Sequence, residues 1–63
     1  MAEEIRLSAE YADSGARLDV FLSQRLPMTR SAAAHLIAKG NVLVDSSVRR
    51  PSFRLKQGMT VHV

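Results

Sequence analysis

A chain of 63 residues and 7.0 kDa has room for one small domain, and with eight alanines among its apolar residues it builds only a modest core, which excludes an ordinary enzyme pocket. The absence of cysteine excludes disulfides, a thiolate nucleophile and a cysteine-based zinc site, and fits a reducing, cytoplasmic setting. The net charge of +3 hides a split: residues 1–13 set Arg6 against Glu3, Glu4, Glu10 and Asp13, a balance of -3, whereas residues 14–63 set eight bases against Asp19 and Asp45, a balance of +6.

Residues 1–14 form an acidic leader, in which residues 4–10 alternate Ile5, Leu7 and Ala9 with Arg6, Ser8 and Glu10, the period of a half-buried strand. Ser14 and Gly15 offer a cap for a helix over Ala16 to Leu26, with Leu18, Phe21, Leu22 and Leu26 on one face and Pro27 marking its end. Thr29 caps a second helix that runs through Lys39 on an apolar stripe of Ala33, Leu36 and Ile37, and Gly40 suits a left-handed stop. Val42 and Val44 alternate about Leu43, and Asp45, Ser46 and Ser47 supply turn chemistry, so a strand meander is expected to follow. Pro51 belongs at an edge or bend, and Phe53 and Leu55 alternate with Arg54 and Lys56. Gln57 and Gly58 turn the chain into a last strand of Met59, Val61 and Val63, an apolar ending that reads as a cut. The longest apolar runs are three residues, and the opening Met-Ala-Glu-Glu has no signal-peptide pattern, so the chain is expected to be soluble and to stay clear of membranes.

Catalytic constellations are not visible. His35 and His62 sit in different elements, nothing pairs Asp19 with Asp45 as acid and base, and three scattered glycines fit no phosphate-binding loop. No cofactor or metal is expected. The signal lies instead in the bases, seven of nine of which are arginine, whose planar fork matches phosphate oxygens in pairs. Arg17 and Arg30 fall in the first turns of their helices, where the dipole opposes a cation; a phosphate bound at the helix-start amides would reverse that preference. Lys39 sits at a helix end that favours cations without any ligand, and Arg49, Arg50, Arg54 and Lys56 extend the basic surface on charge alone. Asp19 is expected to hold an arginine, either Arg17 or Arg30. Tyr11, Phe21 and Phe53 are the only aromatics, and the last two sit at core-like positions, so the expected target is structured RNA read by backbone and shape.

Arg17, Leu18, Asp19, Phe21, Leu22, Thr29, Arg30, Ser31, Leu36, Ile37, Gly40, Val42, Val44, Pro51 and Gly58, taken together over residues 15–63, resemble the RNA-binding domain named after ribosomal protein S-four. The leading strand Ile5 to Ala9 is similar to the leader of large-subunit RNA pseudouridine synthases, where this domain precedes a separate catalytic domain. The resemblance implies an α+β fold of two packed helices on a small twisted antiparallel sheet, with a basic face at the start of the second helix and the loop that follows. It carries Arg17, Thr29, Arg30, Ser31, Lys39 and Gly40 onto that face. Asp45-Ser46 departs from the family's usual Asn-Gly, which disfavours a tight turn with positive φ and reduces phosphate attraction.

Arg17-Leu18-Asp19 matches a triplet of the synthases' catalytic motif but lacks its flanking residues, so Asp19 is not a catalytic candidate. The expected function is therefore an RNA-binding module, not itself an enzyme, that docks ribosomal RNA for a catalytic domain in cis, as a monomer. The alternatives are a free-standing ribosome-associated RNA-binding factor and a protein-interaction module that uses the sheet.

Overall fold

The computed structural model describes residues 5–63. It contains β1 (Arg6–Ser8), a 3-10 turn (Tyr11–Asp13), α1 (Leu18–Arg25), α2 (Arg30–Ala38), β2 (Leu43–Val44), β3 (Ser47–Val48) and β4 (Thr60–His62). The four strands form one antiparallel sheet in the order β1-β4-β2-β3, and the two helices pack on it as the α+β expectation required. Leu18, Phe21 and Leu22 of α1 meet Ala33 and Ile37 of α2, with Val42, Val44, Leu55, Val61 and Ala9 closing the core. Each of these is essentially removed from water, so the small core is densely used.

The leader shares this core. β1 pairs with β4 through Leu7 opposite Val61, and Ile5 exchanges two backbone hydrogen bonds with Val63. The strand expected over residues 4–10 is shorter, and Glu4 lies outside the described residues. After Ala9 the chain makes a 3-10 turn that alternation did not signal. There the Asp13 carboxylate accepts the Glu10 N–H at 2.8 Å and receives the Arg25 guanidinium, which also lies over the Phe21 ring. The Glu10 amide first, and Arg25 after it, hold the Asp13 carboxyl below its ordinary range against the opposing effect of burial.

α1 begins two residues later than the sequence suggests, and Ser14 and Gly15 do not cap it. Residues 15–18 are instead bonded to residues 53–55: Gly15 N–H to the Leu55 carbonyl, Leu55 N–H to Ala16, and Leu18 N–H to Phe53. This pairing also corrects the strand expected around Phe53 to Lys56. Its alternation is real, with Leu55 buried and Arg54 exposed, but its partner is the segment leading into α1 and not the sheet. Before Pro27, Leu26 is extended, as the proline ring requires, and α1 stops at Arg25.

α2 matches its sequence signals closely. The Thr29 hydroxyl accepts the Ala32 N–H at 3.1 Å, Lys39 is the C-cap, and Gly40 has φ +82°. Asn41 N–H returns to the Leu36 carbonyl and Gly40 N–H to that of Ile37, the paired bonds of a Schellman stop.

The expected meander does not form, because β4 enters between β1 and β2. β2 and β3 are joined by a two-residue turn at Asp45-Ser46, both at positive φ (49° and 69°), and Ser47 belongs to β3 and not to the turn. The tight turn thus persists without glycine. Asp45 is secured by β4, its N–H donating to the Thr60 carbonyl and its Oδ1 accepting the Thr60 N–H at 3.0 Å. An aspartate also tolerates the left-handed region better than most residues.

Candidate nucleic-acid interface

The loop after β3 is where the basic residues gather. Arg50-Pro51-Ser52-Phe53 makes a turn closed by Phe53 N–H to the Arg50 carbonyl at 3.0 Å, with proline at its second position. The turn aims backbone carbonyls at the start of α1: Pro51 accepts the Asp19 N–H and Phe53 accepts the Leu18 N–H. The third amide, on Val20, donates to the Asp19 carboxylate at 2.8 Å. These bonds occupy the amides that an anion would need, so the sequence argument for phosphate at the start of α1 does not hold.

Arg17 is the N-cap of α1, and its guanidinium grips Asp19 by two bonds, Nε to Oδ1 at 3.1 Å and Nη2 to Oδ2 at 2.9 Å. Asp19 therefore takes Arg17, the nearer of the two arginines considered. Across a single antiparallel bridge from Arg17 lies Arg54, whose Nη1 donates to the Gly15 carbonyl at 2.9 Å.

The start of α2 is built differently. Thr29 satisfies Ala32, whereas the amides of Arg30 and Ser31 carry no hydrogen bond among the described residues. Arg30 and Ser31 are exposed and share a shallow cleft with Asp19 and Ala34. One and two turns further along the helix, Ala34 and Ala38 continue the same side. There Ile37 and Ala38 border a groove whose other wall is Val48, Arg49, Arg50, Pro51 and Phe53. Lys39 and Gly40 follow at the exposed C-terminal end of α2.

The expected residues therefore fall into groups: Arg17 with Arg54 at the start of α1, Thr29, Arg30 and Ser31 at the start of α2, and Arg49 and Arg50 across the groove from Ile37 and Ala38, with Lys39 and Gly40 next along the chain. The 49–54 loop links them, touching α1 at one end and the groove beside α2 at the other. Asp19 is the acid among them, and Arg17 already neutralises it. Phe53 packs on the core as its core-like position implied, but it also has a second role that the sequence reading did not give it. It packs against the core only in part, and the Arg49 guanidinium carbon lies 4.9 Å from its ring centroid. The signal was present in Arg49-Arg50-Pro51-Ser52-Phe53, since a turn at Pro51 folds the fifth residue back toward the first.

A helix pair on a four-stranded antiparallel sheet, with a cationic loop draped over its helix ends, defines a small α+β module suited to a polyanion. The S4 domain family model matches residues 16–61, and the chain belongs to that family, whose domains are in general RNA-binding modules. No match to the chain was found among curated proteins. No helix among the described residues is long and apolar enough to cross a membrane.

Proposed function

We propose that this chain docks structured RNA, and ribosomal RNA in particular, for a pseudouridine synthase catalytic domain carried in cis, and that residues 1–63 catalyse no reaction themselves. The observation that carries the RNA reading is the side of the molecule formed by Arg30, Ser31 and the 49–54 loop, where the bases outnumber the one acid and that acid is held by Arg17. The amides of Arg30 and Ser31 carry no hydrogen bond among the described residues, and the Arg30 side chain beside them would add a charge-assisted fork to a phosphate bound there. The synthase context is supported by the leader, which enters the sheet as a strand beside β4, consistent with the leader of that enzyme class. The module acts as a monomer in the cytoplasm.

The test is a salt titration on a structured ribosomal RNA fragment. Contacts with about three to five phosphates give a slope of log affinity against log salt of roughly -2 to -4.5. A fourfold rise in salt then weakens binding by roughly 15- to 500-fold on the same relation. Absence of binding at low salt sinks the RNA reading. Pseudouridine formation by the 63-residue chain alone overturns the non-catalytic one.

A further inference from the structure

We propose that the groove between the C-terminal turn of α2 and the 48–53 segment is a subsite for one unpaired nucleotide, its base stacked on the Arg49 guanidinium and its phosphate paired with Arg50. This rests on the RNA reading above and adds to it the kind of RNA: a helix carrying a bulge or loop, not a continuous duplex.

Three observations carry it. The Arg49 guanidinium is seated over the half-buried Phe53 ring, so a charged plane is pre-set by a cation–π contact on its inner side. Arg49 is itself exposed, which leaves the outer side of that plane to a ligand. Arginine planes stack unpaired bases readily, while a base inside a duplex has no free face to offer. Secondly, the groove walls contain Arg49 and Arg50 and no carboxylate, a charge balance that selects a phosphate-bearing occupant over an acid-free apolar peptide. Thirdly, Val48 is 60% exposed on the same wall, an apolar surface left largely uncovered by the rest of the described chain. Pro51 fixes the turn that holds Arg50 and Phe53 in register, so the platform is formed before the ligand arrives.

The experiment compares two stem-loop RNAs that differ by a single bulged adenosine in the stem, with a fluorescent aminopurine at the bulge. The intact chain is expected to prefer the bulged RNA and to quench its fluorescence, by roughly 5- to 100-fold in affinity if one stacked base is gained. Arg49→Lys keeps the charge and loses the plane, so it should abolish the preference and the quenching, a loss on the bulged RNA several-fold greater than any loss on the duplex. Phe53→Leu should weaken the same preference by releasing Arg49, with the amide spectrum checked for folding. Equal affinity for the two RNAs, or a preference unchanged in Arg49→Lys, overturns the subsite and leaves the RNA reading standing. Failure of both RNAs to bind at low salt overturns the two together.

Discussion

Arg17 and Asp19 form a forked ion pair across the first turn of α1, with the Asp19 side chain only 6% exposed and the Arg17 side chain 39%. The same carboxylate oxygen that takes Arg17 Nε also accepts the Val20 amide. Asp19 is thus a capping group as well as an ion-pair partner, and its work is done inside the protein. Asp19→Asn should lower stability by about 1–2 kcal/mol, the charged part of these bonds discounted for the exposed arginine. Thermal denaturation reads this directly, at about 4–8 °C per kcal/mol for a domain of this size. RNA affinity per folded molecule should change little, and a loss of affinity without a loss of stability would show that Asp19 positions RNA.

Asp13 makes the fold acid-sensitive. Its carboxyl titrates lower in the folded state than in the unfolded one, so its contribution is complete above the ordinary carboxylate range. As pH falls from the ordinary carboxylate range toward the lower folded value, the unfolded chain takes up the proton first and that contribution is lost. Asp13→Asn keeps an oxygen for the Glu10 amide but loses the charge facing Arg25. The stability gap between the parent chain and Asp13→Asn should therefore be largest near neutrality and close on acidification. A gap that widens in acid would contradict the assignment.

The turn at Asp45-Ser46 stores strain that glycine would relieve. Ser46 sits at φ 69° without a hydrogen bond from its side chain among the described residues. Ser46→Gly should stabilise by about 0.5–1 kcal/mol, the left-handed penalty less the added freedom of the unfolded chain. Asp45→Gly should not, because it deletes the bond to the Thr60 amide that ties the turn to β4. Equilibrium denaturation of the two variants distinguishes them by sign.

Among the basic residues, Arg30 and Arg6 are opposite controls. Arg30 stands beside the two open amides of α2, whereas Arg6 lies on β1 in the acidic leader, opposite His62. Arg30→Ala should reduce the magnitude of the salt slope by about one, and Arg6→Ala should leave it nearly unchanged. Equal losses would mean that a diffuse field, and not a defined face, holds the RNA.

The parts of the fold legible in the sequence are those whose determinants are local. α2 carries its cap at Thr29, its stripe and its stop at Gly40 within one short segment, and each is found as read. The start of α1 was not legible, because its amides are capped by Pro51 and Phe53, which are distant along the chain. Alternation through Leu55 correctly marked which residue is buried, but period two does not say which backbone lies alongside. The interface divides similarly. Arg30 was indicated by its place in a helix and Ser31 by the family resemblance, while the Arg49–Phe53 contact depends on a loop conformation that only the folded turn at Pro51 creates.

The place of β4 between β1 and β2 has a consequence for the order of assembly. β4 is the last strand of this chain to leave the ribosome, yet it is the strand that joins β1 to the β2-β3 hairpin. During synthesis the helix pair and the β2-β3 hairpin can form from nearby residues, while β1 waits with its edge unpaired. Sheet closure joins residues from opposite ends of the described chain, a slow, non-local step compared with the helical contacts. A nascent chain stalled before Thr60 should therefore hold the helices and the β2-β3 hairpin without the closed four-stranded sheet, and its ability to grip RNA should appear only once the segment through His62 has emerged.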